Sequence, residues 1–215
     1  MKYIKERESL VAFGKEMKSS GLSPGTSGNL SIYLRDEGVM LISPSGIDYD
    51  ETKIEDIVAM DLEGNILEGD RKPSSEWHLH SLFYKKKDDI GAIVHTHSLY
   101  ATTLACMGED LKAVHYVIAD AKTDKVPCSP YSRFGTEKLA KEAVETAGDA
   151  NAVLLSNHGL LACGKDLKSA FGLAKNLEYI AHIQVLAGDK AKIISKENMQ
   201  DVIQAFKSYG QVKEK

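Results

Sequence analysis

Cysteine is scarce in this chain: there are three, Cys106, Cys128 and Cys163, with no CxxC spacing. Such usage reads as a reduced, intracellular protein with small buried thiols, not a disulfide framework. Long apolar runs are also missing. No stretch approaches the roughly 18 residues that a membrane span needs. The N-terminal segment MKYIKERESLVAFGKEMKSSG is charged throughout and lacks the apolar centre of a signal peptide. The expected location is cytoplasmic, without a membrane partner. No basic block stands out, and the net charge is −4. The densest basic run, Lys85-Lys86-Lys87, is followed at once by Asp88-Asp89 and reads as a solvated helix end. Nucleic acid is therefore not an expected partner. Internal repeats, low-complexity segments and Pro/Ser-rich linkers are absent. At 215 residues and 43% hydrophobic, the chain fits one globular domain over 1–215, or at most two small ones.

What is present alternates between helical and strand periodicity. Ile4, Leu10, Val11, Phe13 and Met17 recur at helical spacing, with Gly21 placed to stop a helix that starts near Tyr3. The segments NLSIYL and GVMLI read as strands, and IVAMDLEGNILEG as two strands around Glu63-Gly64-Asn65. Serines before the apolar run of SSEWHLHSLFYKKK mark a helix start. GAIVHTHS is a buried-type strand, LYATTLACMG a short helix, and GTEKLAKEAVETAG a helix between glycines. NAVLLSNHGLLACG is a hairpin, followed by one long helix and a last one in SKENMQDVIQAFKSYG. The expected fold is a three-layer α/β/α domain whose central sheet is mixed and largely antiparallel.

The histidines carry the first chemical signal. On a strand, His95 and His97 share a face, with Cα atoms roughly 6–7 Å apart. Both imidazoles can then reach one ion at about 2.1 Å. Alone, the pair is either a satisfied piece of core or two thirds of a metal site. His78 and His80 repeat the spacing on a helix, where i and i+2 sit about 200° apart and cannot share a ligand. His158, at the hairpin turn beside Asn157 and Gly159, supplies a possible third nitrogen. Three histidines and an open position match a catalytic zinc site.

GTSGN (25–29), SPSG (43–46) and KPSSE (72–76) are loops rich in Gly, Ser and Thr. Each is either an ordinary turn or a cradle of N–H and hydroxyl donors for a phosphate. With no Walker-type motif, a phosphorylated small molecule fits better than a nucleotide. Glu76 falls in the first turn of the helix after Ser75. It is either a helix-start residue that complements the dipole or a general base beside a Lewis acid. No lysine lies beside an obvious hydrophobic active-site motif, which disfavours Schiff-base chemistry.

The ordered set GTSGNLS, ISPSGI, KPSSEWHLH, AIVHTHS, AVHYVIA, VPCSPYSRFGT, SNHGLLACG and FKSYG resembles the class II aldolase/adducin-type family, over nearly the whole chain. Its fuculose-type aldolases match best. The resemblance implies one zinc ion per subunit on His95, His97 and His158, with Glu76 as fourth ligand when no substrate is present. It implies a phosphate among Thr26, Gly28, Asn29, Ser45, Gly46, Ser74 and Ser75. It further implies reversible cleavage of L-fuculose 1-phosphate to dihydroxyacetone phosphate and L-lactaldehyde through an enediolate. Glu76 would move the C3 proton, Tyr116 the proton on the aldehyde oxygen, and Phe134 would wall the aldehyde end. Tyr209, in a mobile tail from about residue 205, would close over the site of a neighbouring subunit in a homotetramer. The rivals are an L-ribulose-5-phosphate 4-epimerase, a methylthioribulose-1-phosphate dehydratase and a non-enzymatic adducin-like scaffold. Glu76 and HYVIA favour the aldolase. Asp120 and Asp124 stand where a fuculose-type aldolase carries small residues, and an epimerase places a catalytic Asp in that segment.

Overall fold

The computed structural model describes residues 1–206. In chain order the strands are β1 (Asn29–Leu34), β2 (Val39–Ile42), β3 (Val58–Met60), β4 (Ile66–Glu68), β5 (Ala92–Thr96), β6 (Leu111–Lys112), β7 (Lys125–Val126), β8 (Cys128–Ser129), β9 (Ala152–Leu155) and β10 (Gly159–Gly164). The helices are α1 (Ile4–Ser19), α2 (Trp77–Lys86), α3 (Leu99–Met107), α4 (Glu137–Ala147), α5 (Leu167–Ala187) and α6 (Lys196–Phe206). Eight strands form the main sheet in the order β4-β3-β2-β1-β5-β10-β9-β8, and β6 pairs with β7 apart from it. Only β8 and β9 run parallel in the main sheet. The mixed, largely antiparallel three-layer architecture is thus as expected.

Both faces of this sheet are buried, and the period of two decides what each face meets. Leu30, Leu41, Val94 and Leu160 share one core with residues of α1, α3, α5 and α6. Ile42, Ile93, Leu155 and Leu161 share the other with Leu79 and Phe83 of α2 and Leu139 of α4. Each fully buried aliphatic side chain contributes about 1.5–3 kcal/mol, so a one-residue slip in register is strongly disfavoured. That register has a chemical consequence. His95 lies two residues beyond Ile93 and so turns toward α2. Its pairing partners are Asn29 on β1 and Leu161 on β10, while Ser31 pairs with Ile93.

Most element ends follow local rules. Gly21 (φ 73°) and Gly108 (φ 67°) take the left-handed conformation that stops α1 and α3. Thr136 caps α4, and Asp166 with Ser169 forms a capping box on α5. The start of α2 departs from expectation. Glu76 is its N-cap residue and makes no side-chain cap bond, while Ser74 Oγ accepts from the Glu76 N–H at 3.3 Å. The segment from Tyr116 to Ala121 is a 3₁₀-helix. The last helix continues through Ala205 and Phe206, so the tail expected from about residue 205 begins in helix; Tyr209 lies outside the described residues. No helix among the described residues is long and apolar enough to cross a membrane.

Candidate metal centre

Four side chains from three parts of the fold meet beside the end of β5: Glu76, His95, His97 and His158. One donor atom from each lies within 4.8 Å of all the others. His95 Nε2 is 3.0 Å from His97 Nε2 and 3.3 Å from His158 Nε2. Glu76 reaches His95 Nε2 at 3.1 Å through Oε2 and His158 Nε2 at 3.4 Å through Oε1. Strand periodicity brings His95 and His97 together, and the Ser156–Gly159 turn carries His158 to them. Asn157 holds φ 55° in that turn, a conformation Asn tolerates better than most residues. His95 and Glu76 are buried, whereas His97 and His158 are partly open.

This donor set fits a cation. A tetrahedral ion with bonds of about 2.0–2.1 Å places its ligands about 3.3–3.4 Å apart, close to the spacings just given. Three imidazoles and a carboxylate otherwise turn lone pairs on one another. Glu76 Oε1 is buried without a hydrogen-bond partner among the described residues. The His95 Nδ1–H donates to the Leu160 carbonyl at 3.0 Å, which leaves Nε2 as the ligand atom. Protonation favours binding too. Burial, helped by His95, pushes His97 down to about 3 and His158 down to about 4. Both are neutral at pH 7, as metal ligation requires. Burial would raise the Glu76 carboxyl, but His95, His158 and the Asn29 amide outweigh it and hold it well below the usual carboxylate range. Burial pulls His95 down, but Glu76 and the Leu160 carbonyl together leave it raised.

A cavity of about 340 Å³ opens from the cluster. Thr26, Gly28, Asn29, Ser45, Gly46, Ser74, Ser75, Glu76, His97, His158 and Phe134 all line it, so the fold gathers the three loops singled out in the sequence. The SPSG and KPSSE loops are tied to each other. Ser45 N–H donates to the Lys72 carbonyl and Ser74 N–H to the Ser43 carbonyl, at 2.9 and 3.0 Å. Those two serines therefore offer hydroxyls to a ligand, not amides. The Asn29 amide is turned to Glu76, 2.9 Å away, instead of toward the loops. Tyr131, Ser132 and Asn157 also line the cavity; the sequence motifs mark the loops that carry them but not these side chains as site residues. Tyr116 is half exposed and is absent from the lining, stacked instead on His115. Asp120 accepts from Asn176 and lines a different cavity of this chain. His78 stacks on Trp77 while His80 is buried against Asn29, so these two do face apart.

Gly28 shows how tightly the cluster is held. It has φ 74°, and a Cβ there would sit 2.7 Å from the His95 carbonyl and 2.4 Å from Ser23 Oγ. Gly28→Ala must push β1 away from the strand that carries two of the histidines. A 1 Å misplacement can cost about 10²-fold in rate. We expect a loss of that order with the fold retained, measured as turnover against thermal unfolding.

The Class II Aldolase and Adducin N-terminal domain family matches residues 8–185, a span that includes all four donors and every described residue of the cavity. The chain belongs to this family. A 5-deoxy-D-ribulose 1-phosphate aldolase of Bacillus thuringiensis serovar kurstaki is 48% identical over 209 residues, covering 96% of this chain and 98% of that protein. An L-fuculose phosphate aldolase of Haemophilus influenzae is 38% identical over 198 residues, covering 91% and 90%. A solved L-fuculose 1-phosphate aldolase superposes with a TM-score of 0.93 at 42% identity, covering 96% of this chain and 98% of that one. With its donor set intact, this member is an enzyme of the aldolase type, a carbon–carbon lyase, and not a scaffold.

Proposed function

We propose that this chain is a zinc-dependent aldolase of short 5-deoxyketose 1-phosphates, with 5-deoxyribulose 1-phosphate ahead of L-fuculose 1-phosphate. The observation that carries the reading is the position of Glu76. It stands among three histidines at one end of a cavity whose other walls are Ser, Thr and Gly loops. Among the described lining residues there is no Lys or Arg, so a phosphate is held by neutral hydroxyl and N–H donors and no Schiff-base amine is at hand.

His95, His97 and His158 would hold the ion, with Glu76 as a fourth ligand before substrate enters. When bound, a divalent metal acts as a Lewis acid on the substrate's carbonyl and hydroxyl oxygens and stabilises the charge that builds up as the C3–C4 bond breaks. The rest falls to this chain's own groups. Thr26, Gly28, Ser45, Gly46, Ser74 and Ser75 bind the phosphate and so fix C3 relative to Glu76. In the condensation direction Glu76, ionised at rest, removes the C3 proton of dihydroxyacetone phosphate while Tyr116 supplies the proton of the new C4 hydroxyl. In cleavage Tyr116 takes the C4 hydroxyl proton, and Glu76, having first taken up a proton, delivers it to C3. Tyr116 and Tyr209 act at the cavity of a neighbouring subunit, in a homotetramer. Cleavage of 5-deoxyribulose 1-phosphate between C3 and C4 leaves acetaldehyde beside dihydroxyacetone phosphate.

The preference rests on the higher identity to the 5-deoxy-D-ribulose 1-phosphate aldolase and on the aldehyde end of the cavity, where Tyr131 and Phe134 stand. L-Lactaldehyde would set an extra hydroxyl-bearing carbon against these rings. An extra group in an apolar pocket typically changes kcat/KM about 10–200-fold. We expect 5-deoxyribulose 1-phosphate to lead L-fuculose 1-phosphate by about tenfold or more, with acetaldehyde as the identified product. A tenfold lead for L-fuculose 1-phosphate would reverse the assignment.

A further inference from the structure

Behind Glu76 runs a line of buried polar groups that the reaction as described does not use. Asn29 Nδ2 donates to Glu76 Oε2 at 2.9 Å, and Asn29 Oδ1 lies 2.5 Å from His80 Nε2. His80 Nδ1 lies 2.6 Å from Ser31 Oγ, which lies 2.7 Å from the Tyr84 hydroxyl. His80 and Ser31 are 0% exposed and Tyr84 likewise, so water cannot substitute for any of these partners. The line crosses from β1 to one face of α2, because Asn29 and Ser31 are two apart on a strand and Glu76, His80 and Tyr84 are four apart toward and along a helix.

Donor and acceptor roles in this line are forced. An ionised carboxylate only accepts, so the Asn29 NH₂ must face Glu76 and its oxygen must face His80. His80 must then carry its proton on Nε2, leaving Nδ1 to accept from the Ser31 hydroxyl. Ser31 has one proton to give, so the contact with Tyr84 uses the tyrosine's, which the Ser31 carbonyl also accepts at 3.1 Å. Burial, reinforced by His95, pushes His80 down to about 3, in keeping with a neutral ring. If His80 carried its proton on Nδ1, two acceptors would face each other at Asn29. The amide would then be driven to flip and set its oxygen against the Glu76 carboxylate.

We propose that His80 is a positioning residue: as its Nε2–H tautomer it locks the Asn29 amide, and through that amide it fixes Glu76. The sequence offers the same HxH spacing twice, and one histidine of the second pair serves the centre that the first pair helps to form. His95 and His97 present donors to it directly, and His80 acts two contacts away. The inference rests on the role of Glu76 proposed above.

The test combines a double-mutant cycle with imidazole NMR, on the full-length protein. Supporting arms of this kind typically contribute about 10–100-fold in metal affinity or activity. His80→Leu and Asn29→Ala should each weaken Zn²⁺ binding, measured by chelator competition, and lower kcat for 5-deoxyribulose 1-phosphate by about that factor, with KM nearly unchanged. His80→Leu made in the Asn29→Ala background should cost less than about twofold more, because His80 has nothing left to act through. His80→Gln, which returns an N–H donor, should recover most of the loss and also shows that the site tolerates substitution. Independent losses that multiply in the double variant would overturn the proposal, as would failure of His80→Gln to recover a folded variant's loss. In the metal-free wild type, the ¹⁵N shifts should place the His80 proton on Nε2; a proton on Nδ1 overturns the relay. That last measurement and the Zn²⁺ titration need no substrate. A wild-type protein that binds Zn²⁺ yet releases no dihydroxyacetone phosphate would thus refute the aldolase assignment while the relay is still judged on its own.

Discussion

Glu76→Gln is expected to cut turnover by about 10²–10⁴-fold while the fold and the bound metal persist. Glutamine keeps the shape of the side chain and an oxygen that can accept from Asn29, but it cannot take up or deliver a proton. In this site the native group is an ionised carboxylate held well below its usual range by His95, His158 and Asn29, against the opposing pull of burial. A carboxylate so strongly stabilised in isolation is a poor base until something changes around it. A bound cation would hold Glu76 ionised still more firmly, and only displacement from that cation by substrate would free the carboxylate to act as a base. The loss in Glu76→Gln should therefore fall on kcat, with KM shifted little, and metal analysis should find the ion still present. Near-normal turnover would remove Glu76 from its role.

His97→Ala has the larger effect on metal. His97 stands one residue beyond the end of β5, partly open, with Nε2 3.0 Å from that of His95. Its removal takes one donor from four and leaves a gap at the open side, where water can compete. Because His97 is not part of the buried core, the variant should fold; His95→Ala, inside the sheet, would confound ligand loss with a cavity. We expect purified His97→Ala to hold less than about a tenth of the wild-type metal and to lose activity in proportion. Zinc content equal to that of the wild type would show that the ion is not held here.

The metal histidines were readable from sequence because strand periodicity is a strong constraint. Ile93 and His95 must share a face, and the hairpin turn carrying His158 ends on the strand next to β5. The three donor loops were readable as loops, although nothing in their sequences shows that Pro44 and Pro73 pair and bind two of them to each other. Glu76 was misplaced by one position. Local rules put it inside the first turn of α2, but its attraction to the histidines and its bond to Asn29 set it at the N-cap. His80 was invisible for a different reason. Helical spacing turns His80 away from His78, but it does not specify what lies on the His80 side. Its partners are 49 and 51 residues away, and only the pairing of β1 with β5 and the packing of α2 bring them within reach. Tyr116 could not be placed from local pattern either: it stacks on His115, away from the cavity of its own chain.

The most direct test of the central claim is release of dihydroxyacetone phosphate from 5-deoxyribulose 1-phosphate by the protein as purified, after chelation, and after Zn²⁺ is restored. The account predicts release that falls to background on chelation and returns with about one ion per subunit. Release that persists in fully metal-free protein would contradict it.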